Sequence, residues 1–66
     1  MEVCVNGKKV SVPTDSSLTG LIEQLSLGNS KIAVELNREI VPRSQYDSLQ
    51  LQDGDELEIV QAIGGG

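Results

Sequence analysis

Few side chains here can do chemistry. Among 66 residues there is one Cys (Cys4), one Tyr (Tyr46), and no His, Trp or Phe. Cys4 lies in an apolar N-terminal segment, and the chain has no imidazole to deprotonate it, so it reads as a small packed residue or a strand-face thiol. A structural zinc site wants four ligands from Cys and His, and a single Cys supplies one, so no metal site is expected. A lone Cys also excludes an internal disulfide, which fits a reducing cytoplasm. What remains is backbone. The chain closes on Gly64-Gly65-Gly66, and an α-carboxyl group titrates at about 3.3–3.7, so the Gly66 end presents an ionised carboxylate at neutral pH. A carboxylate is a poor electrophile, and joining it to AMP from ATP would supply a good leaving group. The chain has neither a glycine-rich phosphate cradle with its basic residues nor a catalytic base, so the activating machinery must belong to a partner. The expected role is that of a substrate and carrier, not an enzyme, with no cofactor of its own.

The tail is useful only if something holds it out. Glycine loses the most entropy on ordering, so 64–66 is expected to be a flexible tail behind a folded domain spanning 1–63. Three residues reach roughly 10 Å, and without Cβ atoms they can thread a narrow channel. Ahead of them Leu57 to Ile63 reads as one continuous strand. Leu57 and Ile59 face one way, Glu58 and Val60 the other. Val60 and Ala62, on the face opposite Leu57 and Ile59, are the candidate apolar docking patch beside the tail.

The elements that must carry this strand follow in order. Met1, Val3 and Val5 alternate with Glu2 and Cys4, Asn6-Gly7 is the strongest short hairpin signal, and Lys8 to Val12 folds back. After Pro13, the cluster Thr14-Asp15-Ser16-Ser17 precedes Leu18, Leu21, Ile22 and Leu25, one stripe of an amphipathic helix with Ser17 as its N-cap. Gly20 marks a point where the helix backbone is expected to approach the sheet, and Gly28-Asn29 ends the helix. Ile32 to Leu36 reads as a third strand, Asn37-Arg38 as a turn and Glu39 to Val41 as a short fourth strand stopped by Pro42. Arg43 to Ser48 is a turn or short 3₁₀ piece, with Arg43 a solvated surface charge. Leu49 and Leu51 close the core, and Asp53-Gly54-Asp55 turns into the last strand. A hairpin, a helix and two or three more strands give an α+β, β-grasp (ubiquitin-like) fold, a mixed sheet of four to five strands on one main helix. The last strand should lie centrally, beside the first.

Ten Asp plus Glu against five Lys plus Arg leave a net charge of −5. That is opposite to the footprint phosphate backbones require, so nucleic acid is not an expected partner, whereas a basic protein surface is. No apolar run is long enough to cross a bilayer and residues 1–10 lack the apolar stretch of a signal peptide, so no membrane association and a cytoplasmic location are expected.

The whole chain resembles the thiamine-biosynthesis sulfur carriers, the ThiS family. The resemblance rests on the Asn6-Gly7 hairpin, Leu21-Ile22-Glu23-Gln24-Leu25, Ala33-Val34-Glu35-Leu36-Asn37, Ile40-Val41-Pro42-Arg43, Asp53-Gly54-Asp55 with Leu57-Glu58-Ile59-Val60, and the terminal glycines. It implies that the Gly66 carboxylate is adenylated with ATP and Mg²⁺ by a ThiF-type enzyme, which resembles ubiquitin-activating enzymes. It further implies conversion to a thiocarboxylate with sulfur from a donor such as a cysteine desulfurase, and delivery to a ThiG-type thiazole synthase. Gly65 and Gly64 become the threading segment, and the free protein is expected to be a monomer. Two other readings share the glycine end: the small subunit of molybdopterin synthase, usually longer and with a Phe near the tail that is missing here, and a ubiquitin-like modifier conjugated through Gly66.

Overall fold

A computed structural model describes residues 1–28 and 31–61. Five strands form one mixed sheet: β1 (Glu2–Val5), β2 (Lys8–Ser11), β3 (Ile32–Leu36), β4 (Glu39–Ile40) and β5 (Glu56–Gln61). Their spatial order is β2-β1-β5-β3-β4. β1 and β5 run parallel and the other neighbours antiparallel. The helix α1 (Leu18–Gln24) and a 3₁₀ turn (Arg43–Gln45) complete the elements. The last strand is therefore central, where two neighbours satisfy its backbone, and it lies beside the first, as the sequence led us to expect.

Two-residue turns set the sheet's register. Asn6 and Gly7 have φ of 51° and 84°, Asn37 and Arg38 of 49° and 73°. With Val5 opposite Lys8 and Leu36 opposite Glu39, both are the left-handed pairs whose twist matches that of the strands they join. Asn37 also holds the start of β5. Its backbone N–H donates to the Glu56 carbonyl (2.8 Å), its Oδ1 accepts from the Glu56 N–H (3.0 Å) and its Nδ2 donates to Asp55 Oδ1 (3.2 Å).

The helix begins where the sequence indicates: Ser17 Oγ accepts from the Gly20 N–H at 3.0 Å. Leu18, Leu21 and Ile22 are buried against Val3, Val5, Val34, Leu57 and Ile59. Leu25, the fourth residue of the stripe, is the half-buried C-cap. The helix stops earlier than Gly28-Asn29. Ser26 takes φ of 61°, its N–H donates to the Glu23 carbonyl (3.0 Å), and the Leu27 N–H donates to the Ile22 carbonyl (2.9 Å). This is a Schellman termination with serine where glycine is usual; Asn29 lies outside the described residues.

A second expectation needs correcting. Gly20 is exposed, and a Cβ added there would meet only Ser17 Oγ at 3.5 Å, an ordinary contact. Close approach to the sheet does not explain this glycine. The fourth strand ends at Ile40, although the Val41 N–H still donates to the Val34 carbonyl (2.9 Å) and Val41 is buried.

The lead-in to β5 is tied down along its length. The Leu18 N–H donates to the Leu49 carbonyl and the Leu51 N–H to the Ser16 carbonyl, both at 2.9 Å. Leu51 is buried and Leu49 half-buried. In the Asp53-Gly54-Asp55 turn, Gly54 has φ of 87°, its N–H reaches the Glu2 carbonyl (2.8 Å), Asp55 Oδ2 accepts from the Gln52 N–H (2.7 Å) and Asp53 Oδ1 from the Glu2 N–H (2.9 Å). The turn thus anchors to β1 before the chain enters the centre of the sheet.

Candidate functional site

The candidate site is the outward face and far end of β5. Alternation along Glu56–Gln61 buries Leu57 (2% exposed) and Ile59 (7%) and turns Glu56, Glu58 and Val60 to solvent. Val60 is 63% exposed, one of two large apolar side chains so open among the described residues; Ile40, at 78%, is the other. Cross-strand register puts Ala33 opposite Val60, Glu35 opposite Glu58, and Ile40 opposite Glu35. One face of the sheet therefore carries an exposed Ala33–Val60 pair next to two facing carboxylates, with Ile40 on the β4 edge. Like charges directly opposite one another disfavour the sheet, so this face is not arranged for stability alone. Cys4 is half-buried, paired in register with Lys9 on one side and Glu56 on the other. It is the strand-face thiol anticipated from the sequence.

The two neighbours of β5 do not accompany it equally. β3 pairs with it through Gln61, opposite Ile32. The β1 ladder reaches only Leu57, opposite Val5, plus one bond from the Asn6 N–H to the Leu57 carbonyl (2.9 Å). Beyond that point the Asn6 side chain continues the ladder: its Oδ1 accepts from the Ile59 N–H (2.8 Å) and its Nδ2 donates to the Ile59 carbonyl (3.0 Å). A carboxamide has the donor and acceptor of a peptide group, and here it supplies the rung that β1, turning away at Gly7, cannot. The sequence marks Asn6 as a turn residue and gives no hint of this contact, made across 53 positions. Asn at the first left-handed position of a turn whose strand neighbours the terminal one would have been the signal.

A groove of about 410 Å³ opens beside this end of β5, with Val10, Leu25, Leu27, Ile59, Asn6 and Gln61 among its walls. Of the residues singled out from the sequence, Val60 lies on the outward face of β5, opposite Leu57 and Ile59, and does not line this groove. Ala62, Gly64, Gly65 and Gly66, and with them the boundary between domain and tail, lie outside the described residues. No described helix is long and apolar enough to cross a membrane.

A mixed five-stranded sheet on one helix, with the final strand central and parallel to the first, defines a ubiquitin-like β-grasp domain of the α+β class. The model of the ThiS family matches residues 2–66, and the chain belongs to that family. The sulfur carrier protein ThiS of Escherichia coli is 32% identical over 66 residues, covering all of both chains. A crystal structure of the thiamine biosynthesis protein ThiS from Geobacter metallireducens superposes with a TM-score of 0.84 at 33% identity, again over the whole of both chains. The thiazole synthase of Paramagnetospirillum magneticum is 41% identical over 66 residues, all of this chain but 20% of that protein. The chain thus spans about a fifth of the length of such relatives, and the thiazole synthase of Magnetococcus marinus matches in the same proportion.

Proposed function

We propose that this protein is a sulfur carrier for making the thiazole moiety of thiamine, acting in the cytoplasm, and that the sulfur rides on the Gly66 carboxyl group. A ThiF-type enzyme joins the carboxylate to AMP, releasing pyrophosphate from ATP with Mg²⁺ in the enzyme's own site. The persulfide of a donor such as a cysteine desulfurase then displaces AMP to give an acyl disulfide, and a thiol reductant cleaves its S–S bond to leave a thiocarboxylate, which a ThiG-type thiazole synthase consumes. The chain itself catalyses nothing. The family match over residues 2–66 carries this reading. The fold supports it physically, because β5 is a central strand flanked by β1 and β3, and its last residue, Gln61, precedes the glycines by only two residues in the sequence. That proteins named thiazole synthase contain a stretch similar to this whole chain supports a thiazole synthase as the acceptor.

Gly64 and Gly65 serve as the threading segment, and Val60 with Ala62 as the apolar surface on which the activating enzyme settles. One solved relative is named a thiamine biosynthesis protein and two others are named thiazole synthases, which favours this pathway over the molybdopterin and modifier readings. The test is genetic and chemical. In a strain lacking the gene, thiazole should restore growth and molybdenum cofactor precursors should not; a chain lacking Gly66 should fail both to complement and to support ATP–pyrophosphate exchange by the activating enzyme. Complementation by the chain without Gly66 would overturn the proposal.

A further inference from the structure

We infer that Asn6-Gly7 is a deamidation site which the fold holds in check, and that its conversion to aspartyl products breaks the latch between the first turn and Ile59. This stands apart from the carrier reading, because only residues of the folded body take part.

An asparagine followed by glycine is prone to lose ammonia for a steric reason: glycine has no Cβ to keep its backbone nitrogen away from the preceding side chain. The Gly7 nitrogen attacks Cγ of Asn6. A bond forms between those two atoms, the Cγ–Nδ2 bond breaks, and ammonia leaves with the proton of the Gly7 N–H, closing a five-membered imide. Water then opens the ring. Cleavage between the nitrogen and Cγ gives aspartate. Cleavage between the nitrogen and the backbone carbonyl carbon gives isoaspartate, whose main chain runs through Cγ and is one carbon longer. Water is the only co-reactant.

In the folded chain Asn6 and Gly7 are exposed, in a turn with φ of 51° and 84°, so water reaches them. The carboxamide itself is engaged. Its Oδ1 accepts from the Ile59 N–H at 2.8 Å and its Nδ2 donates to the Ile59 carbonyl at 3.0 Å. Ile59 turns both groups toward β1, because its partner on β3, Val34, directs its carbonyl the other way, to the Val41 N–H. Imide closure draws Cγ to bonding distance of the Gly7 nitrogen and expels the nitrogen that donates to Ile59, so the pair of bonds is given up before the ring forms. Two hydrogen bonds of ordinary net worth, lost together, slow the reaction by roughly thirtyfold.

Neither product restores the latch. A carboxylate only accepts, so the Ile59 carbonyl loses its donor and faces a charged oxygen. Isoaspartate also lengthens the two-residue turn that holds Val5 opposite Lys8. Loss of ammonia makes the change one-way.

Asn37 is an internal control. It has φ of 49° and a carboxamide bonded to Glu56 on the same strand, but it is followed by Arg38, whose side chain crowds the attacking nitrogen.

The experiment incubates the full-length chain in mildly alkaline buffer, with and without enough urea to unfold it, and follows each asparagine by peptide mapping with mass spectrometry. In urea Asn6 should deamidate far faster than Asn37; without urea Asn6 should slow by at least about tenfold. The Asn6→Asp chain, carrying one of the products from the start, should unfold at lower urea, with its unfolding equilibrium constant raised about tenfold. Equal rates at Asn6 with and without urea would overturn the inference, as would equal rates at Asn6 and Asn37 in urea or an unchanged midpoint for Asn6→Asp. Failure of Asn6→Asp to fold counts with a lowered midpoint, and the rate comparison, made on the unaltered chain, is decisive whether or not that variant folds.

Discussion

The two faces of β5 are built to opposite rules. Inward, Leu57 and Ile59 are almost wholly removed from water and join the core with Leu18, Leu21, Val3 and Val34. Outward, the same six residues offer Glu58 facing Glu35 across β3, and Val60 facing Ala33, open to solvent. The inner face follows what burial rewards. The outer face places like charges opposite one another and leaves a branched apolar side chain in water. One strand thus carries a face that holds the body together and a face left open to solvent, and substitutions on the two should fail in different ways.

The largest effect is expected inside. Leu57→Ala removes a side chain with 2% exposure and should cost about 2–5 kcal/mol in urea-induced unfolding, a large share of the stability of so small a domain. Adenylation should fall only as far as the folded fraction falls. Outside, Val60→Asp should change stability by no more than about 1 kcal/mol, yet lower kcat/KM for adenylation about tenfold, the scale of a significant interface residue. Unchanged kinetics would remove Val60 from the docking surface.

A substitution away from both faces calibrates the comparison. Gly20→Ala adds a methyl group where only Ser17 Oγ is near, and should raise stability by about 0.5–1 kcal/mol with adenylation unaltered. The smallest effect returns to the outer face. Glu58→Gln relieves the facing pair with Glu35 and should stabilise by about 0.2–1 kcal/mol at low salt, a gain that shrinks as salt screens the repulsion. A gain that persists in high salt would mean that the pair's charges are not what strains the sheet.

Much of this architecture is legible in the sequence because its signals are local. Asn6-Gly7 between alternating valines dictates the first hairpin, Ser17 ahead of Leu18, Leu21 and Ile22 the helix start, and Asp53-Gly54-Asp55 the entry to β5. The helix end is not legible in composition because serine seldom takes the left-handed C-terminal position; the hydrogen bonds of Ser26 and Leu27 mark it. A glycine in a helix suggests close packing, whereas the Gly20 N–H bonds to the Ser17 cap and the residue is exposed. The grip of Asn6 on Ile59 is invisible from either neighbourhood, since it exists only once the first and last strands lie side by side. The exposed Val60 was legible from alternation alone; its Ala33 partner required the register.

Carriage of sulfur on the Gly66 carboxyl group can be read by intact-mass and fragment-ion analysis of the protein after incubation with its activating enzyme, ATP and a sulfur source. Exchange of one oxygen for one sulfur, located at Gly66, is the expected result. An unchanged mass, or sulfur found on Cys4 instead, would contradict it.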